Sequence, residues 1–118
     1  MSKGKFMEAL ELVAEHLNVE PDHYDLSKRY IDGYSCIFNQ TCGACPEQYD
    51  VYIVENDQVM QLGYLRLRHG RFRADYGYCG GKTVFEAEPH GDGIFEYGER
   101  ETYLCKAAKE LVAYHKAQ

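Results

Sequence analysis

Leu65-Arg66-Leu67-Arg68-His69-Gly70-Arg71-Phe72-Arg73-Ala74 is the stretch on which the fold turns. Apolar and cationic residues alternate strictly on both sides of His69-Gly70, which is the pattern of two half-buried strands joined by a two-residue turn. With the turn at His69-Gly70, Arg68 falls opposite Arg71 and Arg66 opposite Arg73. Leu65, Leu67, Phe72 and Ala74 then share one face and enter a core. The four arginines share the other face. Like charges placed directly opposite one another destabilise a sheet unless something neutralises them. The neutraliser is either a set of neighbouring carboxylates (Asp50, Asp75, Glu86 or Glu88) or a bound anion, for which the planar guanidinium is well suited. Tyr64, Tyr76 and Tyr78 lie close by in sequence and are candidates for stacking on a ligand or partner. The candidate binding set is therefore Arg66, Arg68, Arg71, Arg73, Tyr64 and Tyr76.

The strand pattern continues outward from this hairpin. Tyr49 to Glu55 is β-branched and aromatic and reads as a strand, with a turn at Asn56-Asp57-Gln58. Val59 to Arg68 is the next strand, and Gly63 inside it predicts a bulge or a close backbone approach. Arg71 to Tyr78 and Lys82 to Ala87 follow, separated by Cys79-Gly80-Gly81. Tyr34 to Phe38 is a candidate short strand, and Asn39 to Glu47 reads as a loop. Residues 19–30 read as irregular, with Asp25 capping a short helical turn through Lys28 and Arg29.

Helices flank the strands. Phe6, Leu10, Val13 and Leu17 recur at helical spacing and predict an amphipathic helix over roughly residues 3–17. A second helix begins at Glu96 or Glu99 and runs to about residue 116, with Leu104, Ala107, Ala108, Leu111 and Val112 as its apolar face. Acidic residues lie in its first turns and lysines later, which complements the helix dipole. The expected fold is a single α+β domain over residues 1–118, an antiparallel meander of about four strands with both helices packed on one face.

The 118 residues suffice for one domain with its own core. The formal net charge of −6 disfavours binding to nucleic acid or to an anionic membrane through general electrostatics. No continuous apolar run predicts a signal peptide or a membrane span, so the expected location is the cytoplasm. The five cysteines then read as thiols or metal ligands rather than as a disulfide framework. Cys42-Gly43-Ala44-Cys45 has the spacing of one zinc half-site, and Cys79 and Cys36 are candidates to complete a structural site. Cys105 falls on the terminal helix and reads as a small buried apolar residue.

The loop Glu88-Pro89-His90-Gly91-Asp92-Gly93-Ile94-Phe95-Glu96-Tyr97-Gly98-Glu99 has the outline of a calcium loop, but it follows a strand and places His90 at a ligand position. It reads as a turn that leads acidic residues into the last helix. No nucleophile–base pair, carboxylate pair or glycine-rich phosphate loop occurs at local spacing, so no enzyme and no resident cofactor are expected.

Cys45-Pro46-Glu47-Gln48-Tyr49-Asp50, the run Gly63 to Gly70 and Gly91-Asp92-Gly93-Ile94-Phe95 together resemble small uncharacterised proteins of bacteriophages and prophages. The resemblance covers about the last two thirds of the chain. It implies a viral, mobile-element setting in the host cytoplasm and a host protein as partner. Such proteins, anti-CRISPR and other anti-defence inhibitors among them, act by binding a host factor. The alternative reading is a binder of a nucleotide or other phosphate-containing small molecule on the arginine face.

Overall fold

The computed structural model describes residues 8–118. The elements run α1 (Ala9–Leu17), β1 (Leu26–Ile31), β2 (Tyr34–Gly43), β3 (Glu47–Glu55), β4 (Gln58–Arg68), β5 (Arg71–Tyr76), β6 (Lys82–Ala87) and α2 (Arg100–Lys116). All six strands form one sheet in sequence order, and every neighbouring pair is antiparallel. The α+β class and the meander are as expected. The part of the first helix assigned to residues 3–7 lies outside the described residues.

The sheet has six strands rather than four, because both ends of the N-terminal half are more extended than expected. Residues 26–31 form a strand, not a capped helical turn. Ile31 pairs with Tyr34, and the register carries back to Leu26 opposite Asn39. The turn between them is Asp32-Gly33, with φ of 48° and 97°. That dipeptide is a strong hairpin signal, because both central residues of the favoured turn need positive φ. β2 also runs five residues past Phe38, to Gly43, and takes in Cys42.

The two helices lie on opposite faces of the sheet. Cys36, Phe38, Val51 and Ile53 pack in the cluster that contains Leu104, Ala107, Ala108, Leu111 and Val112 of α2. Their strand neighbours Ile37 and Tyr52 pack instead with Val13 of α1. Successive residues of a strand point to opposite faces, so α1 and α2 are separated by the sheet. The one-face expectation is corrected by the same residues. Cys36-Ile37-Phe38 and Val51-Tyr52-Ile53 are unbroken buried runs, which is the signature of a strand covered on both sides.

Both edge strands touch α2. Arg29 of β1 grips Glu101 with contacts of 2.8 and 2.7 Å, while Tyr103 packs against Phe72 of β5 at 6.2 Å between ring centroids. The sheet therefore curls around α2, which fills its concave side. α1 covers part of the convex side. Close approach at the centre requires Gly63: a Cβ there would lie 2.6 Å from Leu111 and 2.9 Å from the Asp75 carbonyl. A register shift opposite Val51 and Tyr52 marks a bulge beside it. The bulge and the close approach expected at Gly63 are both present.

Candidate functional site

The arginine hairpin forms with the expected register, Arg66 opposite Arg73 and Arg68 opposite Arg71. His69 and Gly70 have φ of 55° and 73°, which suits the tight turn between them. Leu65, Leu67, Phe72 and Ala74 are fully buried on the concave side. The four arginines project from the convex side, beyond the part that α1 covers, and with His69 they line a cleft of about 110 Å³.

The carboxylates around the cleft neutralise it only in part. Arg73 Nε lies 3.1 Å from Asp75 Oδ2. Asp75 is 1% exposed, and it also accepts hydrogen bonds from Gly80 N at 3.1 Å and Thr83 Oγ1 at 2.7 Å. Arg71 has a loose contact of 3.8 Å with exposed Glu88. Asp50 is occupied by Gln61 at 3.1 Å. Arg66 and Arg68 have no acidic partner among the described residues.

The turn of this hairpin is braced from the far side. Gly70 N donates to the Asp92 carbonyl at 2.7 Å, and Cys45 N donates to the Gly93 carbonyl at 2.8 Å. The loop between β6 and α2 thus bridges the tips of two neighbouring hairpins. Its own shape is set by Glu99, whose carboxylate accepts from His90 N, Gly91 N and Glu96 N at 2.6, 3.1 and 2.9 Å. Desolvation alone would raise the Glu99 pKa, but these backbone donors outweigh it and hold the carboxyl below its ordinary range. The loop is a Glu99-centred turn leading into α2, as expected.

Of the two tyrosines assigned to this surface, only Tyr64 belongs to it. It alternates with Arg66 and lies opposite Asp75, but it is 8% exposed and its hydroxyl donates to Gln48 at 2.6 Å. It borders the cleft as a buried flank and offers no open ring for stacking. Tyr76 follows Arg71, Arg73 and Asp75 at odd spacing, so it points to the concave face, where it packs on the α2 cluster. Its removal from the arginine set is a correction that the period-two rule explains.

Tyr76 belongs to a second polar group, formed by residues far apart in sequence. Its hydroxyl lies 2.6 Å from His115 Nδ1, and His115 Nε2 lies 3.0 Å from Glu55 Oε1. Tyr34 donates to Glu55 Oε2 at 2.5 Å. Hydrogen bonds from Tyr34 and then His115 lower the Glu55 pKa, while burial and the Glu55 charge raise that of Tyr76. This chain fastens the last turn of α2 to the ends of β2, β3 and β5. Spacings of 39 and 60 residues hide it from any local motif search.

At the other end of α2, fully buried Glu47 is held by Arg100, with contacts of 2.6 and 3.1 Å, by the Tyr49 hydroxyl and by Phe95 N at 3.1 Å. Burial would raise its pKa. The Arg100, Tyr49 and Phe95 hydrogen bonds together lower it. In the sequence Glu47 is a lone acidic residue closing the loop before the Tyr49 strand, a character it shares with many surface residues.

The four cysteines considered as metal ligands are not brought together. Cys36 is fully buried under α2, and desolvation, assisted by the Asp32 charge, pushes its thiol up to about 12. Cys42 is six residues further along the same strand, roughly 20 Å at the rise of extended chain. Cys45 and Cys79 are exposed and Cys42 is half-buried. Among the described residues no three His, Cys, Asp or Glu side chains are grouped to hold a metal ion. Cys105 is half-buried rather than a core residue, and its thiol faces Glu101 at 3.3 Å.

No family model, curated protein or solved structure matches the chain. No helix among the described residues is long and apolar enough to cross a membrane. The molecule is an α+β domain with a curled antiparallel sheet and an arginine-lined cleft on its convex side.

Proposed function

We propose that this chain is a non-enzymatic binding domain that docks an anionic group of a partner protein on its arginine hairpin. One observation carries the reading: the cleft of about 110 Å³ lined by four arginines, two of which have no acidic partner among the described residues. Both unpaired arginines lie on β4, each directly opposite another arginine of β5; like charges so placed repel each other, and an incoming anion relieves that repulsion.

Cleft size favours a protein partner over a whole nucleotide. Sites for complete drug-sized ligands have volumes of roughly 300–1,000 Å³. This cleft admits a side-chain head group and leaves the rest of the partner on the surrounding surface. The resemblance to phage proteins supports a host protein as the partner, and occupation of its anionic site would inhibit or redirect that protein. The overall charge of −6 argues against an extended polyanion such as nucleic acid.

The test is capture of host-cell proteins by the immobilised domain, compared with an Arg66→Glu/Arg68→Glu variant of matched melting temperature. The reading requires at least one protein held by the native domain and released by the variant. A capture profile that the two forms share would refute it.

A further inference from the structure

The geometry points to a phosphomonoester dianion, carried on a side chain of the partner, as the group the arginine cleft takes; this rests on the binding role proposed above and specifies its ligand. The argument starts from charge. Arg73 is matched by buried Asp75 and Arg71 by Glu88, although the latter contact is long and exposed. Glu86 faces Arg73 across β5 and β6 without forming an ion pair, and two guanidiniums, Arg66 and Arg68, remain without acidic partners among the described residues. An aspartate or glutamate side chain brings one negative charge and leaves one guanidinium uncompensated. A phosphomonoester brings roughly −1.5 to −2 at pH 7, which matches the pair.

Donor geometry agrees. Asp75 engages Arg73 through Nε alone, so the outer nitrogens of that guanidinium remain available to a ligand. Asp75 is itself fixed by Gly80 N and Thr83 Oγ1, so the Arg73 side chain is oriented before any ligand arrives. Arg66 lies directly opposite Arg73 across β4 and β5. Three oxygens of a phosphate can be met from both strands at once, whereas a planar carboxylate is satisfied by a single guanidinium fork. The cleft volume of about 110 Å³ suits this head group.

The bracing of the turn adds a further element. Gly70 N is held by the Asp92 carbonyl, so the two strands carrying the arginines are fixed at their shared end. A preformed site loses less conformational entropy on binding.

The experiment uses the full chain and four probes at one ionic strength: O-phosphoserine, inorganic phosphate, glutamate and dimethyl phosphate, with binding read by calorimetry and by chemical-shift changes at the Arg66, Arg68 and Arg73 amides. O-phosphoserine is expected to bind at least about tenfold more tightly than glutamate or dimethyl phosphate, each of which carries a single charge. Binding is expected to be lost in Arg66→Gln/Arg68→Gln, with a melting temperature no lower than that of the native chain, because the substitution removes like charges that face Arg73 and Arg71. A protein segment as the source requires a phosphoserine peptide to bind more tightly than free O-phosphoserine or inorganic phosphate; the reverse order would overturn that assignment. Equal binding of glutamate and O-phosphoserine would overturn the dianion and leave an acidic-protein contact. Absence of all probe binding would overturn this inference alone if Arg66→Glu/Arg68→Glu still released the captured protein. Unchanged capture would remove the binding role itself.

Discussion

Asp75 Oδ2 lies 3.1 Å from Arg73 Nε, and Asp75 is 1% exposed while the Arg73 side chain is 30% exposed. A sealed carboxylate thus anchors an arginine that reaches the surface. The same carboxylate closes the turn after β5 through Gly80 N and Thr83 Oγ1. Replacement of Asp75 by alanine strands these donors and frees Arg73. Asp75→Ala is expected to cost about 3 kcal/mol of stability and to weaken anion binding beyond what the stability loss explains. Urea denaturation measures the first effect, and titration with O-phosphoserine at a temperature where the variant is folded measures the second.

Acid sensitivity should trace in large part to Glu47. Its pKa is lowered in the folded protein because the Arg100, Tyr49 and Phe95 hydrogen bonds outweigh desolvation. A carboxyl of depressed folded pKa contributes stability above its unfolded value, about 4.3 for glutamate. That contribution is lost as pH falls through the lower, folded value. The wild-type urea midpoint is therefore expected to fall as the pH drops below about 4.3. Glu47→Gln should be less stable at pH 7 and show a shallower fall over the same range. A parallel fall in both proteins would place the acid sensitivity elsewhere.

Gly63 and Leu111 should couple strongly. Gly63→Ala drives a methyl group toward the Leu111 side chain at 2.6 Å and the Asp75 carbonyl at 2.9 Å. Overpacking of this kind costs about 1–3 kcal/mol. Leu111→Ala costs about 2–5 kcal/mol on its own through the cavity it leaves. The double variant is expected to be more stable than the sum of the single effects implies, because the new methyl group enters the vacated space. The Asp75 carbonyl prevents complete recovery. A double-mutant cycle from denaturation midpoints gives the coupling term.

His115 fastens the last turn of α2 to Glu55 and Tyr76. His115→Ala is expected to speed amide hydrogen exchange in residues 111–116 several-fold more than in the first turns of the helix. Uniform acceleration along α2 would show that the contact acts on global stability instead.

Cysteine accessibility gives an ordered prediction. Cys45 and Cys79 are exposed, Cys42 and Cys105 are half-buried, and Cys36 is buried. Alkylation followed by mass spectrometry should label Cys45 and Cys79 first and Cys36 only on unfolding. A chelator should leave the melting temperature and the labelling order unchanged.

Strict alternation around His69-Gly70 made the central hairpin legible down to its register, because one face is apolar and the other charged. The Asp32-Gly33 hairpin was equally written in the sequence, but Ser27-Lys28-Arg29-Tyr30 alternates weakly on the sheet edge and mimics an irregular polar segment. The opposite placement of the helices was carried by Ile37 and Tyr52, whose apolar character continues the runs on either side of them. Tyr76 is near the arginines in sequence but packs on the α2 side, because one residue of offset reverses a side chain in a strand. Convergence of Glu55, Tyr76 and His115 depends on the curl of the sheet, and no local spacing encodes that curl. The arginine set was visible; the selective neutralisation of Arg73 by a buried Asp75 was not.

The position of α2 at the centre of the curled sheet bears on how the chain reaches its fold during synthesis. All six strands leave the ribosome before the helix that fills their concave side. Until then Phe38, Leu65, Leu67 and Phe72 have no cover, and the emerging meander is open to self-association or chaperone capture. Release of Arg100 to Lys116 from the exit tunnel is thus the event that converts a sticky ribbon into a sealed domain. A ribosome-stalled chain lacking α2 should be a chaperone client, and the full-length chain should not.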